Sequence, residues 1–306
     1  MVINLLHYQS ANDNKGNRAI IKWLIKQGAN PKEALFCMEH TGVYSIKIAV
    51  FLEKNKCSYS MVSPLHIKRS LGIVRGKNDK IDSFQISRFC YLHRAELPQT
   101  VLPLKSIQIL RGLINERERL VKVQTSEKIV IHELKETNTR GTIKRIKCRI
   151  ALLAKDISSI EREMEQVINS EPNVFKNYEL VRSVIGIGLV NSILFIVYTC
   201  NFQSFTDARK YACYGGVAPF EHISGTSIRG KTRVSHIANK RIKANLNNAA
   251  RSAVQNDPEL RIYYDRKAKD GKEHGVIMNA IKFKLITRVF AVINRGTPFV
   301  KIRQAG

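Results

Sequence analysis

An apolar stripe that repeats every three or four residues between positions 143 and 167 limits the possible folds more than any other feature. Its spacing is 3-4-3-4-3-4-3 without a miss, through Ile143, Ile146, Ile150, Leu153, Ile157, Ile160, Met164 and Val167. On a helix, this spacing predicts one continuous apolar face that must be buried against another helix. Residues 104–134 are also helical in composition, and Asn138, Thr139 and Gly141 separate the two stretches. The spacing leaves three alternatives open, which are a helical hairpin, a bundle helix packed within its own chain, and a dimerising coiled coil.

The first hundred residues follow a different pattern, in which strand-like and helix-like stretches alternate. We predict strands at residues 3–8, 34–38 and 58–62, and helices at 14–27, 43–54 and 79–93. This order indicates an α/β layer with a central sheet. Beyond residue 173 the chain is mostly helical, with a buried helix in the apolar run 184–198 and a loop-rich stretch at 215–235. The predicted domains are residues 1–98, 99–172 and 173–306.

The charge of the chain indicates the type of partner. Lysine and arginine exceed aspartate and glutamate by 26 in 306 residues, while 44% of the residues are hydrophobic. Such a chain folds and carries its charge on the surface, where the usual partner is the phosphate backbone of a nucleic acid. Asn191 and Ser192 interrupt the longest apolar run, so we expect no membrane span, and no secretion signal is visible, so we expect a cytoplasmic protein. The six scattered cysteines predict neither a zinc site nor a disulfide framework.

Three acidic residues are candidates for a metal site. Glu39 follows a predicted buried strand, and the carboxyl ends of strands are the usual place for a ligand in an α/β layer. Asp79 and Asp82 lie three residues apart at a predicted helix start, so they share one face. Carboxylate oxygens converging on one sheet edge could bind Mg²⁺. The alternative for Asp79 is a helix cap.

A second candidate site lies in residues 219–233. Ser224 stands in a Ser-Gly stretch and is followed by a run of basic residues, Arg229, Lys231, Arg233, Lys240, Arg241 and Lys243. Arginine side chains can fork onto phosphate oxygens, and an activated serine can attack phosphorus. The alternatives are a Ser/Gly turn beside a solvated basic face and, for His222, a structural role instead of that of a base. Gly186 and Gly188, between two predicted helices, could present backbone N–H groups to a phosphate.

These motifs together resemble the Piv-type DEDD transposases and invertases of bacterial insertion sequences, along nearly the whole chain. The resemblance rests on six segments in order: 39–44 (EHTGVY), 77–83 (KNDKIDS), 185–188 (IGIG), 214–219 (YGGVAP), 224–230 (SGTSIRG) and 296–299 (GTPF). It implies α/β plus all-α architecture, with an N-terminally incomplete RuvC-like (RNase H-like) domain, a helical coiled coil and a mainly helical C-terminal transposase domain.

The resemblance also implies a function. Glu39, Asp79 and Asp82 would be three of the four acids that hold Mg²⁺, and Ser224 would take a DNA end covalently, with Ser227 as its nearest rival. The partners would be DNA, a guide RNA and further copies of the chain, forming a homodimer or homotetramer through the coiled coil.

The chain departs from the family pattern at its start. The family's first acid lies on an opening strand that this sequence does not contain, so we expect either an upstream start codon or a decayed remnant. Position 185 is Ile where Pro is common, and Ala238 precedes Asn239 where Gly is usual. Two alternative functions follow, an inactive nucleic-acid-binding remnant and a Holliday-junction resolvase that relies on the carboxylates alone.

Overall fold

The computed structural model describes residues 5–70, 72, 78–134, 140–224 and 228–300. The chain divides into two compact units, residues 1–102 and 103–306. The long helices therefore belong to the same compact unit as the C-terminal region. No helix in the described part is both long enough and apolar enough to span a membrane.

The first unit consists of two strands and four helices. They are α1 (Asn14–Lys26), β1 (Leu35–Glu39), α2 (Val43–Lys54), β2 (Ser58–Val62), α3 (Pro64–Ser70) and α4 (Asp79–His93). Asp13 caps α1 by accepting a hydrogen bond from the Gly16 amide at 2.7 Å. These bounds confirm the predicted helices and the two later strands, whereas α3 was not predicted. The strand predicted at residues 3–8 is wrong over 5–8, which form no ladder.

The two strands are parallel and separate two helical layers. Glu39 pairs with Val62 at the carboxyl end of the sheet. Side chains on successive strand residues alternate between faces. On one face Phe36 and Met38 pack in the cluster of α1 and α2, and on the other Cys37 packs in the cluster of α3 and α4. The unit is thus an α/β sandwich.

The outer edge of β2 is covered by the end of the unit. The Thr100 amide donates to the Tyr59 carbonyl at 2.9 Å, and the Met61 amide donates to Oγ1 of Thr100 at 2.8 Å. The Ser60 hydroxyl donates to the Pro98 carbonyl at 3.0 Å. Only the edge of β1 is left without a backbone partner among the described residues.

The second unit begins with a pair of long helices, α5 (Lys105–Glu133) and α6 (Arg140–Asn169). Arg117 contacts Glu161 at 2.7 Å and Arg149 contacts Glu127 at 2.9 Å, so the helices run antiparallel. The predicted stripe lies on the less exposed face of α6, and Ile146, Ile160 and Met164 are fully buried. The structure therefore forms the helical hairpin, and Ile160 and Met164 also pack within the chain's own helical bundle, so both of these alternatives hold.

The remaining described helices complete the second unit. They are α7 (Pro172–Arg182), α8 (Leu189–Tyr198), α9 (Ala208–Tyr214), α10 (Lys240–Asn256), α11 (Pro258–Lys269) and α12 (His274–Arg295). Residues 192–197 of α8 are all buried, which confirms the helix predicted from the apolar run. Between α9 and α10 the chain forms strands β3 (Pro219–Ser224) and β4 (Ile228–Val234), which pair as an antiparallel ribbon. The prediction of a loop over residues 215–235 is wrong at these strands.

Candidate active site

Glu39 is the last residue of β1, as expected for an acid at the carboxyl edge of the sheet. The His40 amide donates to the Val62 carbonyl at 2.9 Å, which fixes the chain where it leaves the strand. Gly42 then adopts a φ of +70°, a conformation that favours glycine, and α2 begins at the next residue. This sharp turn keeps Glu39 at the sheet edge.

Asp79 and Asp82 lie in the first turn of α4, which packs against β1. The helix is capped by Asn78, whose Oδ1 accepts a hydrogen bond from the Ile81 amide at 2.8 Å. The capping alternative for Asp79 is therefore wrong. Among the described residues, neither carboxylate accepts a side-chain hydrogen bond or forms an ion pair. Both are available to a ligand.

The structure does not gather these acids into a metal site. In the described parts of the chain, no three His, Cys, Asp or Glu side chains lie close enough to hold an ion. Glu39 is half-buried at the sheet edge and Asp79 is exposed. The side chains as placed here do not fit a preformed Mg²⁺ site, although their type suits this ion.

A cleft of about 700 Å³ lies against β1 and has Glu39 in its lining. All five residues of β1 line it, together with apolar side chains of α1 and α4 that include Trp23 and Ile86. Tyr8 stacks on Trp23 with ring centroids 5.3 Å apart.

Two thiols meet on the wall of this cleft. A hydrogen bond with Cys90, together with burial, raises the pKa of the Cys37 thiol far above its ordinary value. The same hydrogen bond lowers the pKa of Cys90. Cys37 lies on β1 and Cys90 on α4, so this contact joins the helix that carries the two aspartates to the strand that carries Glu39.

Ser224 is the last residue of β3 and pairs with Ile228 at the distal end of the ribbon. Ser227, its rival within the motif, lies outside the described residues. His222 pairs with Gly230 nearer the base of the ribbon.

The ribbon contains a register shift in its basic strand. Phe220 pairs with Arg233 and His222 with Gly230, so two steps along β3 correspond to three along β4. Lys231 lies in this bulge, between Gly230 and Arg233, and Arg229 lies beyond it opposite Ile223. A bulge increases local twist and redirects neighbouring side chains, and bulges are common beside active sites. The simple alternation that would align positions 229, 231 and 233 is interrupted here.

The basic residues that follow the ribbon have different roles. Lys240 is the exposed first residue of α10, whose cap is Asn239. Arg241 is instead held by α5: its Nε contacts Glu118 at 2.7 Å, and its other nitrogens donate to Asn115 and to the Ile114 carbonyl. Its guanidinium therefore ties α10 to the long hairpin.

The two glycines between α7 and α8 also differ. Gly186 has a φ of +91°, and a Cβ there would lie 2.7 Å from the Ala249 carbonyl oxygen and 2.9 Å from the Ala253 nitrogen, both in α10. It is thus a close-packing glycine. Gly188 is the residue before α8, with open space where a Cβ would be. The space beside Gly188 is therefore open, whereas Gly186 is packed against α10.

Sequence reasoning missed Lys282 of α12, whose residue surface is only 5% exposed. The sequence carries a signal for it: Met278, Leu285 and Val289 lie on one apolar helical stripe, and Lys282 lies on the same stripe, four residues after Met278 and three before Leu285. A lysine in such a stripe is unusual enough to notice. The high lysine content of the whole chain obscures this signal.

Comparisons with known proteins match two stretches of the chain. Residues 4–137 match a family described as a transposase and named for DEDD transposases of IS110, and residues 178–265 match the family described as Transposase IS116/IS110/IS902. The chain is 26% identical over 299 residues to the pilin gene-inverting protein of Moraxella bovis, covering 95% of this chain and 89% of that protein. An uncharacterised 43.6 kDa protein of insertion element IS110 from Streptomyces coelicolor is 28% identical over 157 residues, covering 50% of this chain and 38% of that protein.

The first unit carries carboxylates at its sheet edge that have no partner among the described residues, and the second unit carries a basic ribbon. With the matches to transposases and to a DNA-inverting protein, these features define a DNA recombination enzyme. Both units point to the same group of enzymes. The chain belongs to the IS110/IS116 family of transposases.

Proposed function

We propose that the chain cuts and joins DNA as a Piv-type insertion-sequence transposase or invertase, with Ser224 as its nucleophile. The observation that carries the proposal is the position of Ser224 at the end of a ribbon whose second strand is basic. In the cutting step, the serine oxygen bonds to phosphorus and a deoxyribose oxygen leaves with a proton, while the serine proton passes to solvent or a base. The phosphoserine link conserves the energy of the broken phosphodiester bond for the rejoining step.

The basic residues of β4 and the start of α10 complete the proposed serine site. Arg229, Lys231 and Arg233 would neutralise the phosphate during attack, and Lys240 would bind the DNA backbone nearby. We propose a smaller role for Arg241, because α5 already holds its guanidinium. Gly188 would offer a backbone N–H to a phosphate, whereas Gly186 would support that turn from behind.

We also propose that Glu39, Asp79 and Asp82 are the carboxylates that would hold Mg²⁺. When bound, the ion supplies a positive charge that polarises a scissile phosphate. Among the described residues, none of the three carboxylates has a side-chain partner, which supports this role, although they form no cluster there. Asp82→Asn is then expected to abolish cleavage while leaving DNA binding nearly intact, and a variant that still cuts in Mg²⁺ would refute the role.

The family resemblance further suggests a guide RNA and assembly into dimers or tetramers through the α5–α6 hairpin. Exposed apolar side chains on both helices, among them Val123 at 45% and Leu152 at 62%, support assembly there. Leu152→Glu is expected to lower the mass found by light scattering, with Ser159→Glu on exposed α6 surface as the control. An unchanged mass would place the subunit contacts elsewhere.

The serine assignment is tested by trapping the covalent adduct. The purified protein is incubated with its element's DNA ends, denatured and analysed for DNA-linked protein by gel and mass spectrometry. Ser224→Ala should abolish the adduct, and Ser235→Ala, just after the ribbon, should leave it. An adduct that persists in Ser224→Ala would overturn the assignment. Cleavage without Ser224 would favour a resolvase that uses carboxylates alone, and binding without cleavage would favour the inactive remnant.

A further inference from the structure

Lys282 is a largely buried lysine whose ammonium group has no role in the proposed chemistry. Among the described residues, its ammonium has no hydrogen-bond acceptor and no acidic partner. Burial lowers its pKa, and the positive charge of Lys243 lowers it further. Burying a cation without a partner is costly, and folded proteins normally avoid it. An anion supplied from outside the chain would offset this cost.

The ammonium can be reached by such an anion. In the described part of the chain, Oγ of Ser106 is the one fully buried side-chain nitrogen or oxygen without a partner. The Nζ atom of Lys282 is therefore not sealed off, although the residue is only 5% exposed.

The two lysines lie at the base of the ribbon. One helical turn before Lys282, Asn279 donates to the Val217 carbonyl at 2.7 Å, two residues before β3 begins. Lys243 lies in the first turn of α10, and its Cδ would be 3.8 Å from a Cβ built on Gly216. Lys243 thus borders the Gly216 turn from which the ribbon rises, and Lys282 lies one helical turn from the residue that binds the Val217 carbonyl.

We propose that Lys282 and Lys243 form a phosphate-binding site that holds the DNA backbone at the base of the ribbon. The proposal rests on the proposed function, since DNA is the source of the phosphodiester. Lysine binds phosphate as a point charge, and two ammonium groups that repel each other are both relieved by one shared anion. The site would anchor the strand while Ser224 acts at the other end of the ribbon.

The first experiment measures binding of a fluorescent DNA duplex by anisotropy between about 50 and 300 mM NaCl, without Mg²⁺. Each phosphate contact contributes about one unit to the slope of log affinity against log salt. Lys282→Met keeps the stem, removes the charge, and should reduce that slope by about one. Lys284→Met removes the same charge two residues away, from a lysine lying over the Tyr263 ring, and should change the slope by less than half as much.

The second experiment measures melting temperature with inorganic phosphate against chloride at equal ionic strength. Phosphate should stabilise the wild type and not Lys282→Met, while Lys282→Met should melt higher than the wild type without phosphate. Lys282→Gln serves as a second variant if the methionine variant does not fold. Equal phosphate effects in wild type and variant, or an unchanged salt slope, would overturn the site.

The two experiments separate this proposal from the proposed function. A wild type that fails to bind DNA would contradict the proposed function, and the melting experiment would still decide the phosphate site. A matched RNA duplex completes the binding experiment. If Lys282→Met lost binding to the RNA duplex alone and bound the DNA duplex as the wild type does, the assignment to DNA would be overturned.

Discussion

Replacing Gly186 by alanine should destabilise the C-terminal unit strongly, because two separate costs arise at that position. The backbone φ of +91° disfavours any side chain, at about 1–2 kcal/mol. The new methyl would also lie 2.6 Å from Cβ of Ala253 and within 3 Å of two backbone atoms of α10. Overpacking of this kind costs about 1–3 kcal/mol, and backbone atoms cannot rotate away as a side chain can.

The net expectation is a loss of about 1–4.5 kcal/mol. The lower limit includes the gain of about 0.4–1 kcal/mol that alanine brings by restricting the unfolded chain. Gly188→Ala is the matched control, because it makes the same chemical change two residues away in open space. Its cost should stay within about 1 kcal/mol, the value of a weaker residue at the helix N-cap.

Urea unfolding followed by circular dichroism at 222 nm measures both variants. The midpoint of Gly186→Ala should shift to lower urea, and that of Gly188→Ala should stay near the wild type. If both glycine variants unfold together with the wild type, the close contact with α10 does not exist. Binding of DNA by the folded Gly188→Ala variant then tests its backbone as a phosphate ligand, since the added methyl would crowd that approach.

Two further predictions concern ion pairing and thiol burial. Asp257 is 4% exposed, caps α11 and pairs with Arg288, so Asp257→Ala should cost about 3–5 kcal/mol of stability. Glu259 is the other acidic partner of Arg288 but is exposed, so Glu259→Ala should cost less than about 1 kcal/mol. Coinciding urea midpoints of the two variants would contradict this difference. Exposed Cys148 should react with iodoacetamide at least about tenfold faster than buried Cys57 in peptide-resolved mass spectrometry, and equal rates would contradict the burial.

Elements with a strong local pattern were predictable from the sequence. The apolar spacing gave α6 its helix and its buried face, and the short apolar runs located β1 and β2. The spacing did not determine the partner of that face, because hairpins and dimers use the same repeat. The choice depends on contacts between distant residues, such as Arg117 with Glu161.

The ribbon was missed for a different reason. Its strands contain glycine, serine and charged residues in place of alternating β-branched and aromatic ones, so a turn was the natural interpretation. The role of Arg241 was equally hidden, since a basic run does not show which side chains turn inward to an acid such as Glu118. The acids at Glu39 and Asp82 were located at the predicted strand and helix ends, while their separation in space could not be read from spacing.

The anchoring of α5 gives the long hairpin the mechanics of a lever. The buried residues of α5 end at Ile114, and Arg241 contacts the helix at the Ile114 carbonyl and at Glu118. Beyond that pivot, about 15 residues of α5 extend roughly 22 Å toward the tip, at 1.5 Å per residue. A rotation of about 10° at the pivot would move the tip by about 4 Å over this length. Conversely, a pull on the tip would act with a large mechanical advantage on the first turn of α10, the helix that the serine ribbon leads into.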